Sequence, residues 1–129
     1  MLKRMERPFP AYKGDEPYIF ICYAHVDSEI VYPELVWLDE QGCNIWYDEG
    51  ISPGEEWTEE LAQAIRGASH LLYFVTPHST ESRKCRDEIN YALDLDIHLL
   101  IVHLKETQLS EGLKLSLGLS QAILRYELN

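Results

Sequence analysis

Short apolar runs alternate with amphipathic stretches from residue 18 onward, and this alternation predicts the fold. Apolar runs of about four to eight residues bounded by turn residues are typical of buried parallel strands, whereas apolar positions recurring every three or four residues are typical of helices. The predicted strands cover residues 18–24, 43–47, 70–76, 98–104 and 122–128. The predicted helices cover residues 27–41, a segment beginning at Glu55, a segment following Ser82, and a short leucine-rich segment capped by Ser110.

Strands that alternate with helices of this length predict a parallel sheet with helices on both faces and right-handed crossovers. We therefore expect a flavodoxin-like α/β domain of three layers, with a five-stranded parallel sheet in the order 2-1-3-4-5. In that order the chain reverses direction between strands 1 and 3, so a ligand crevice is expected beyond their carboxyl ends. Tyr23, Ala24, Thr76 and Pro77 would form its floor.

The first 17 residues differ in composition from the remainder of the chain. Pro8, Pro10 and Pro17 interrupt any regular element there, so we interpret residues 1–17 as a leader that is ordered only if it packs on the domain. Residues 18–129 are long enough to form one domain with its own core.

Charge and cysteine content narrow the possible functions. The chain carries 22 acidic and 11 basic residues, for a net charge of -11, which disfavours nucleic acid as a partner. Its three cysteines show no CxxC spacing, so we expect buried reduced thiols and no metal site. There is neither an apolar signal segment nor an apolar run long enough to span a membrane, and we expect a cytoplasmic domain that binds no membrane.

Two common functions of such sheets lack their residues here. A phospho-receiver needs an acidic pair after strand 1 and an aspartate after strand 3, but these strands end in Cys-Tyr-Ala and Val-Thr-Pro. A dinucleotide site of the Rossmann type needs GxGxxG in the first turn, where this chain has Ala-His-Val-Asp at 24–27.

Glu88 is the most informative polar residue of the helix after strand 3. Cys85, Ile89, Ala92 and Leu93 form the apolar stripe of this helix, and Glu88 lies roughly 80 to 100° from the centre of that stripe. We therefore expect Glu88 at the rim, between core and solvent, where its carboxylate can face the crevice.

Taken together, five segments resemble the Toll/interleukin-1 receptor (TIR) domain, in the style of its bacterial members. They are Ile-Phe-Ile-Cys-Tyr-Ala-His at 19–25, Ile-Trp-Tyr-Asp-Glu-Gly at 45–50, Gly-Glu-Glu-Trp at 54–57, Phe-Val-Thr-Pro at 74–77, and Ser-Arg-Lys-Cys-Arg-Asp-Glu at 82–88. The resemblance covers about residues 18–128. Because the family usually has one more helix after the fifth strand, it implies a fragment of a longer protein with a fused sensor or effector domain.

The resemblance implies an activity and partners. The glutamate of the Ser-x-x-Cys-x-x-Glu pattern, here Glu88, is the residue that cleaving members use on NAD+, which is a substrate and not a cofactor. The loop at about 48–57 would mediate assembly with other TIR domains and gate the pocket. An assembly-dependent NAD+ hydrolase in immune or anti-phage signalling is therefore expected, and the alternative is a non-catalytic TIR–TIR scaffolding module.

The predicted site combines one catalytic residue with a set of substrate contacts. Glu88 is the catalytic candidate, and Lys84 occupies the place where many enzymatic members have an aromatic residue. The candidate substrate contacts are Tyr23, Ala24, His25, Trp46, Asp48, Trp57, Thr76, Ser82 and Lys84.

Three of these candidates also have plain structural interpretations. Trp46 alternates within a strand, and Trp57 begins an apolar helical stripe, so core packing is favoured for both. His25 with Asp27 either touches ribose or phosphate or forms a solvent-facing cap and turn pair.

Overall fold

A computed structural model of the chain describes residues 6–48, 57–118, 120 and 122–128. Its centre is a five-stranded sheet in the order β2-β1-β3-β4-β5, in which every neighbouring pair is parallel. The strands are β1 (Ile19–Cys22), β2 (Ile45–Tyr47), β3 (His70–Val75), β4 (His98–His103) and β5 (Ala122–Leu124). The predicted fold class and strand order are confirmed.

The helices connect consecutive strands, as in other doubly wound folds. They are α1 (Ser28–Glu40), α2 (Trp57–Gly67), α3 (Pro77–Glu81), α4 (Arg83–Asp94) and α5 (Glu111–Leu117). Short 3-10 turns precede α1 at His25–Asp27 and follow β5 at Arg125–Glu127.

Two predictions about these elements need correction. The fifth strand was predicted to reach residue 128 but ends at Leu124, because β5 is an exposed edge strand and the chain turns into the 3-10 segment that follows. Two helices follow β3, where one was predicted, because Ser82 takes an extended conformation that separates α3 from α4. The predicted start of α2 at Glu55 lies outside the described residues.

The core lies on both faces of the two central strands. β1 pairs with β3 in register from Ile19 opposite His70 to Cys22 opposite Tyr73. From Leu71 to Val75 every residue of β3 is buried, whichever face its side chain occupies. Burial on both faces is expected for a strand covered by helices on both sides, and it explains the continuous apolar run in the sequence.

The described part of the leader packs on β2. Ala11 is buried, the Phe9 ring meets the Tyr47 ring edge-on at 5.5 Å, and the Tyr47 hydroxyl donates to the Phe9 carbonyl. The Tyr12 N–H donates to the Ile45 carbonyl at 2.8 Å. The segment thus satisfies part of the open edge of β2, which explains how a proline-rich sequence is ordered here.

Candidate active site

The carboxyl ends of β1 and β3 form a pocket at the point where the strand order reverses. Its volume is about 370 Å³, within the range of small-molecule sites. The lining residues come from the turn after β1, from α3 and from the start of α4. They are Tyr23, Ala24, His25, Val26, His78, Glu81, Ser82 and Lys84.

Local capping fixes the helices at this edge. The Thr76 hydroxyl accepts from the Ser79 N–H, and the Ser79 hydroxyl accepts in return from the Thr76 N–H, forming a capping box at the start of α3. At the start of α4 the Ser82 hydroxyl accepts from the Cys85 N–H at 3.2 Å. The serine of the Ser-x-x-Cys-x-x-Glu pattern therefore sets the direction in which α4 leaves the pocket.

Glu88 lies within the protein and not at its rim. Only 6% of its surface is exposed, so the predicted position between core and solvent is wrong. Two polar side chains pack against Glu88 and shield it from solvent. Lys84 lies one turn earlier on α4, Asp48 follows β2, and the three residues form one charged cluster. Helical spacing alone places Glu88 on the flank of α4, and the tertiary neighbours bury it.

The Lys84 ammonium joins the two carboxylates. Its Nζ atom lies 2.7 Å from Oδ2 of Asp48, 3.7 Å from Oε2 of Glu88 and 3.4 Å from Nε2 of His25. The Tyr23 hydroxyl, whose pKa is raised by burial, donates to the Asp48 carbonyl at 2.8 Å. Tyr23, His25, Asp48 and Lys84, all predicted from the sequence, are thus brought together beside Glu88.

Burial has the largest influence on the pKa of Glu88. It raises the Glu88 pKa from 4.5 to about 7, although attraction to Lys84 and a hydrogen bond with Cys22 oppose the rise. A carboxyl group with this pKa exchanges its proton near neutral pH. Such a shifted carboxyl group beside a pocket is a feature of catalytic sites.

Two thiols lie close to Glu88. Ligand atoms of Cys22, Cys85 and Glu88 are all within 4.8 Å of one another, and the Cys22 Sγ–H donates to the Cys85 carbonyl at 3.6 Å. Burial raises the pKa of Cys22 well above its ordinary value, so this thiol keeps its proton at neutral pH. Two sulfurs and a carboxylate are a donor set that a soft metal ion can use, and the absence of a metal site stays a prediction.

Asp27 forms a second polar cluster beside the pocket, with Thr76 and His78 as partners that the sequence did not predict. Asp27 is 6% exposed; its Oδ2 accepts from the Thr76 hydroxyl at 2.5 Å, and its Oδ1 lies 2.9 Å from Nδ1 of His78. Its side chain makes no capping hydrogen bond to α1, so the solvent-facing cap is wrong. The position of Asp27 after strand 1 was a usable signal, whereas His78 showed none in the sequence.

The remaining candidates are placed as follows. Trp46 is buried and its ring stacks on Phe20 at 5.0 Å, which agrees with core packing. Thr76 is buried beneath the pocket, where it bonds Asp27. Trp57 begins α2, and its side chain lies outside the described residues.

Comparison with known proteins identifies the family. The sequence model described as "TIR domain" matches residues 19–125. The chain belongs to the TIR domain family. No curated protein matches it. Among the described residues of this TIR domain, no helix is both long and apolar enough to cross a bilayer.

Solved TIR structures share the fold at low sequence identity. The TIR domain of the Toll-related receptor TRR-2 from Hydra magnipapillata is 21% identical, with a TM-score of 0.60 over 74% of this chain and 77% of that one. A TIR-STING receptor from C. gigas is 21% identical, with a TM-score of 0.62 over 83% of this chain and 38% of that one. The TIR domains of the activated Roq1 resistosome are 17% identical, with a TM-score of 0.56 over 68% of this chain and 57% of that one.

The charged cluster predicts the behaviour of a Lys84→Met variant. The Glu88 pKa should rise above about 7, because the attraction that lowers it is removed. The free energy of unfolding at about pH 8 should fall by about 2 kcal/mol, since two buried carboxylates lose their ammonium partner. Carbon NMR of the Glu88 carboxyl group and urea unfolding measure the two effects.

Lys114→Met, at an exposed position of α5, is the matched control and should change neither quantity. The loss in Lys84→Met should shrink between about pH 8 and pH 4, because Glu88, with its pKa of about 7, takes up a proton and no longer needs a cationic partner. An unchanged Glu88 titration, or a loss of stability equal at both pH values, would show that Lys84 acts on Glu88 through packing and not through charge.

Proposed function

We propose that this TIR domain cleaves NAD+ at the bond between nicotinamide and ribose. The observation that carries the proposal is Glu88, a buried carboxyl group with a pKa raised to about 7, next to Lys84 of the pocket wall. The family resemblance assigns the same residue. NAD+ is the substrate, and the reaction uses no separate cofactor.

The chemistry requires a single anionic group. As the glycosidic bond breaks, positive charge develops on the ribose, as it does in glycoside hydrolysis. Ionised Glu88 stabilises that charge and binds the ribose hydroxyls. Nicotinamide leaves as a neutral ring, so a second carboxyl group is not needed to protonate it. A carboxylate with few competing waters is more effective in this role than one in bulk solvent.

The pocket wall supplies contacts for the rest of the dinucleotide. Tyr23 and His25 contribute two rings, whose centroids are 5.1 Å apart, at the end of β1. The backbone of residues 24–26 and the N-terminus of α4 at Ser82 are suited to the diphosphate, because helix N-termini attract anions. Ala24, Ser82 and Lys84 line the pocket and stay candidates for substrate contact. Thr76 and Trp46 are buried and would support the walls of the site. Trp57 also stays a candidate.

Assembly and a signalling role complete the proposal. The proposed assembly loop at about 48–57 begins at Asp48, so a partner that binds it would act next to the carboxylate that pairs with Lys84. One of the solved relatives is an activated resistosome that recognises a pathogen effector, which supports assembly and a role in immune or anti-phage defence. A fused sensor domain would supply the trigger.

A second candidate function is a non-catalytic scaffold for other TIR domains. The observation that favours it is the Lys84 ammonium 3.7 Å from Glu88, at a position where many enzymatic members have an aromatic ring. Incubation of an oligomerised chain with NAD+ separates the two functions. We expect nicotinamide together with ADP-ribose or its cyclised form, whereas a scaffold leaves NAD+ intact while still binding TIR domains.

A further inference from the structure

The Asp27 cluster gives the pocket a second group with acid–base chemistry. Asp27 ends the 3-10 turn that follows β1, and His78 lies in the first turn of α3, so their hydrogen bond joins the segments that follow the two strands at the pocket. The Thr76 hydroxyl holds the other carboxylate oxygen at 2.5 Å. Asp27 is therefore fixed on both oxygens and fixes the His78 ring in turn.

The hydrogen bond determines which nitrogen of His78 faces a ligand. A carboxylate accepts hydrogen bonds and does not donate, so Nδ1 carries the proton shared with Asp27. In the neutral ring, Nε2 then holds the lone pair. The His78 side chain is 63% exposed and lines the pocket, so Nε2 is accessible to a molecule bound there.

On the basis of the proposed function, we propose that His78, oriented by Asp27, is the general base that activates the water attacking the ribose. The bond between C1′ and the nicotinamide nitrogen breaks first, and its electron pair leaves with neutral nicotinamide. The water oxygen then forms the new bond to C1′, and Nε2 of His78 takes the water proton. The products are ADP-ribose, nicotinamide and one proton, which His78 returns to solvent.

This role is separate from that of Glu88. Glu88 stabilises the charged ribose and is needed whichever nucleophile arrives, whereas a base is needed only when the nucleophile must lose a proton. A pyridine has no such proton to lose. When water and a pyridine compete for the ribose, loss of the base should therefore slow hydrolysis more than pyridine exchange, whereas loss of Glu88 should slow both.

The test uses the oligomerised chain with NAD+ and 3-acetylpyridine, and it compares His78→Asn with the unchanged chain. Asparagine places an amide nitrogen near the position of Nδ1, which keeps a donor to Asp27, but it has no atom at Nε2. We expect ADP-ribose formation to fall about tenfold or more relative to the exchange product, with the KM for NAD+ unchanged. His98→Asn, at an exposed histidine at the start of β4, should leave the ratio unchanged.

Asp27→Asn adds a second arm with its own expectation. An amide nitrogen facing Nδ1 favours the opposite tautomer, so the product ratio should shift as in His78→Asn even though residue 78 is unchanged. Melting curves show whether each variant is folded, and an Asp27→Asn chain that does not fold leaves the His78→Asn ratio as the deciding result.

The outcomes separate this proposal from the one it rests on. Nicotinamide release with an unchanged product ratio in His78→Asn overturns the base and leaves NAD+ cleavage intact. Release with a cyclised product and no ADP-ribose also overturns it, because no water is activated. No release from the unchanged, assembled chain removes both proposals together.

Discussion

Replacing Glu88 with glutamine should reduce nicotinamide release by at least about a hundredfold in the assembled protein. Glutamine has nearly the same shape but carries no charge, so the transition state loses the anion that stabilises the ribose. The rate of nicotinamide release at saturating NAD+ measures the loss. Because Glu88 is buried in the folded chain, a melting curve accompanies the assay to show that the variant is folded.



The same variant should be more stable than the unchanged chain in alkaline solution. The folded protein raises the Glu88 pKa from 4.5 to about 7, so folding opposes its ionisation. That cost is absent below the unfolded pKa and develops as the pH rises to about 7. At about pH 8, Glu88→Gln should therefore gain on the order of 2 kcal/mol in the free energy of unfolding, at 1.36 kcal/mol for each pKa unit and with allowance for relaxation.

Asp87→Asn, at the exposed neighbouring position of α4, is the matched control. It removes one negative charge from the same helix and should alter neither nicotinamide release nor the pH dependence of stability. Full activity in Glu88→Gln would contradict the assignment of the catalytic residue. A stability gain as large at pH 4 as at pH 8 would contradict the raised pKa.

Assembly should change the activity nearly as strongly. We expect the dilute chain to be almost inactive, because Asp48 and Lys84 hold a salt bridge at 2.7 Å beside Glu88 and Asp48 begins the loop proposed to contact other copies. A partner that binds this loop would draw Asp48 away from Lys84 and make Glu88 accessible to NAD+. Specific activity should then rise at least about tenfold between a dilute and a concentrated sample.

An oligomerising fusion and a monomeric fusion of similar size provide the comparison. The oligomerising fusion should be active at concentrations where the monomeric fusion is not. Trp57→Ala, within the loop region named in the proposal, should reduce the rise with concentration. A specific activity that stays flat over a hundredfold range of concentration, with the protein monomeric throughout, would rule out the assembly requirement.

The fold was accessible from sequence because its signals are local. The continuous apolar run before Thr76 predicts a strand buried on both faces, and β3 has that environment. The alternation of strands and helices predicts a parallel sheet with right-handed crossovers, and five strands fit the flavodoxin-like order that the sheet has. The end of β5 was not accessible, because residues 125–128 keep the alternating polar and apolar pattern of a strand while the chain turns into a 3-10 segment.

The site was only partly accessible, because its properties depend on contacts between distant segments. The family resemblance around Ser82 makes Glu88 the catalytic candidate, but the burial of Glu88 depends on Asp48 and Lys84, and helical periodicity does not predict those contacts. The Asp27 cluster joins residues separated by 49 and 51 positions in the chain. The sequence places Asp27 and Thr76 at the same edge of the sheet. Only the structure shows that the Thr76 hydroxyl donates a hydrogen bond to the Asp27 carboxylate.

The pH dependence of kcat/KM for nicotinamide release tests the central claim most directly, because it reports the ionisation of the free enzyme. The claim is that ionised Glu88, with a pKa raised to about 7, cleaves NAD+. We predict that kcat/KM of the oligomerised chain rises with pH and levels off above about 7, and that a carbon NMR titration of the Glu88 carboxyl group has the same midpoint. A carboxyl group that titrates near 4.5 while the activity profile stays flat from about pH 5 to 8 would contradict the account.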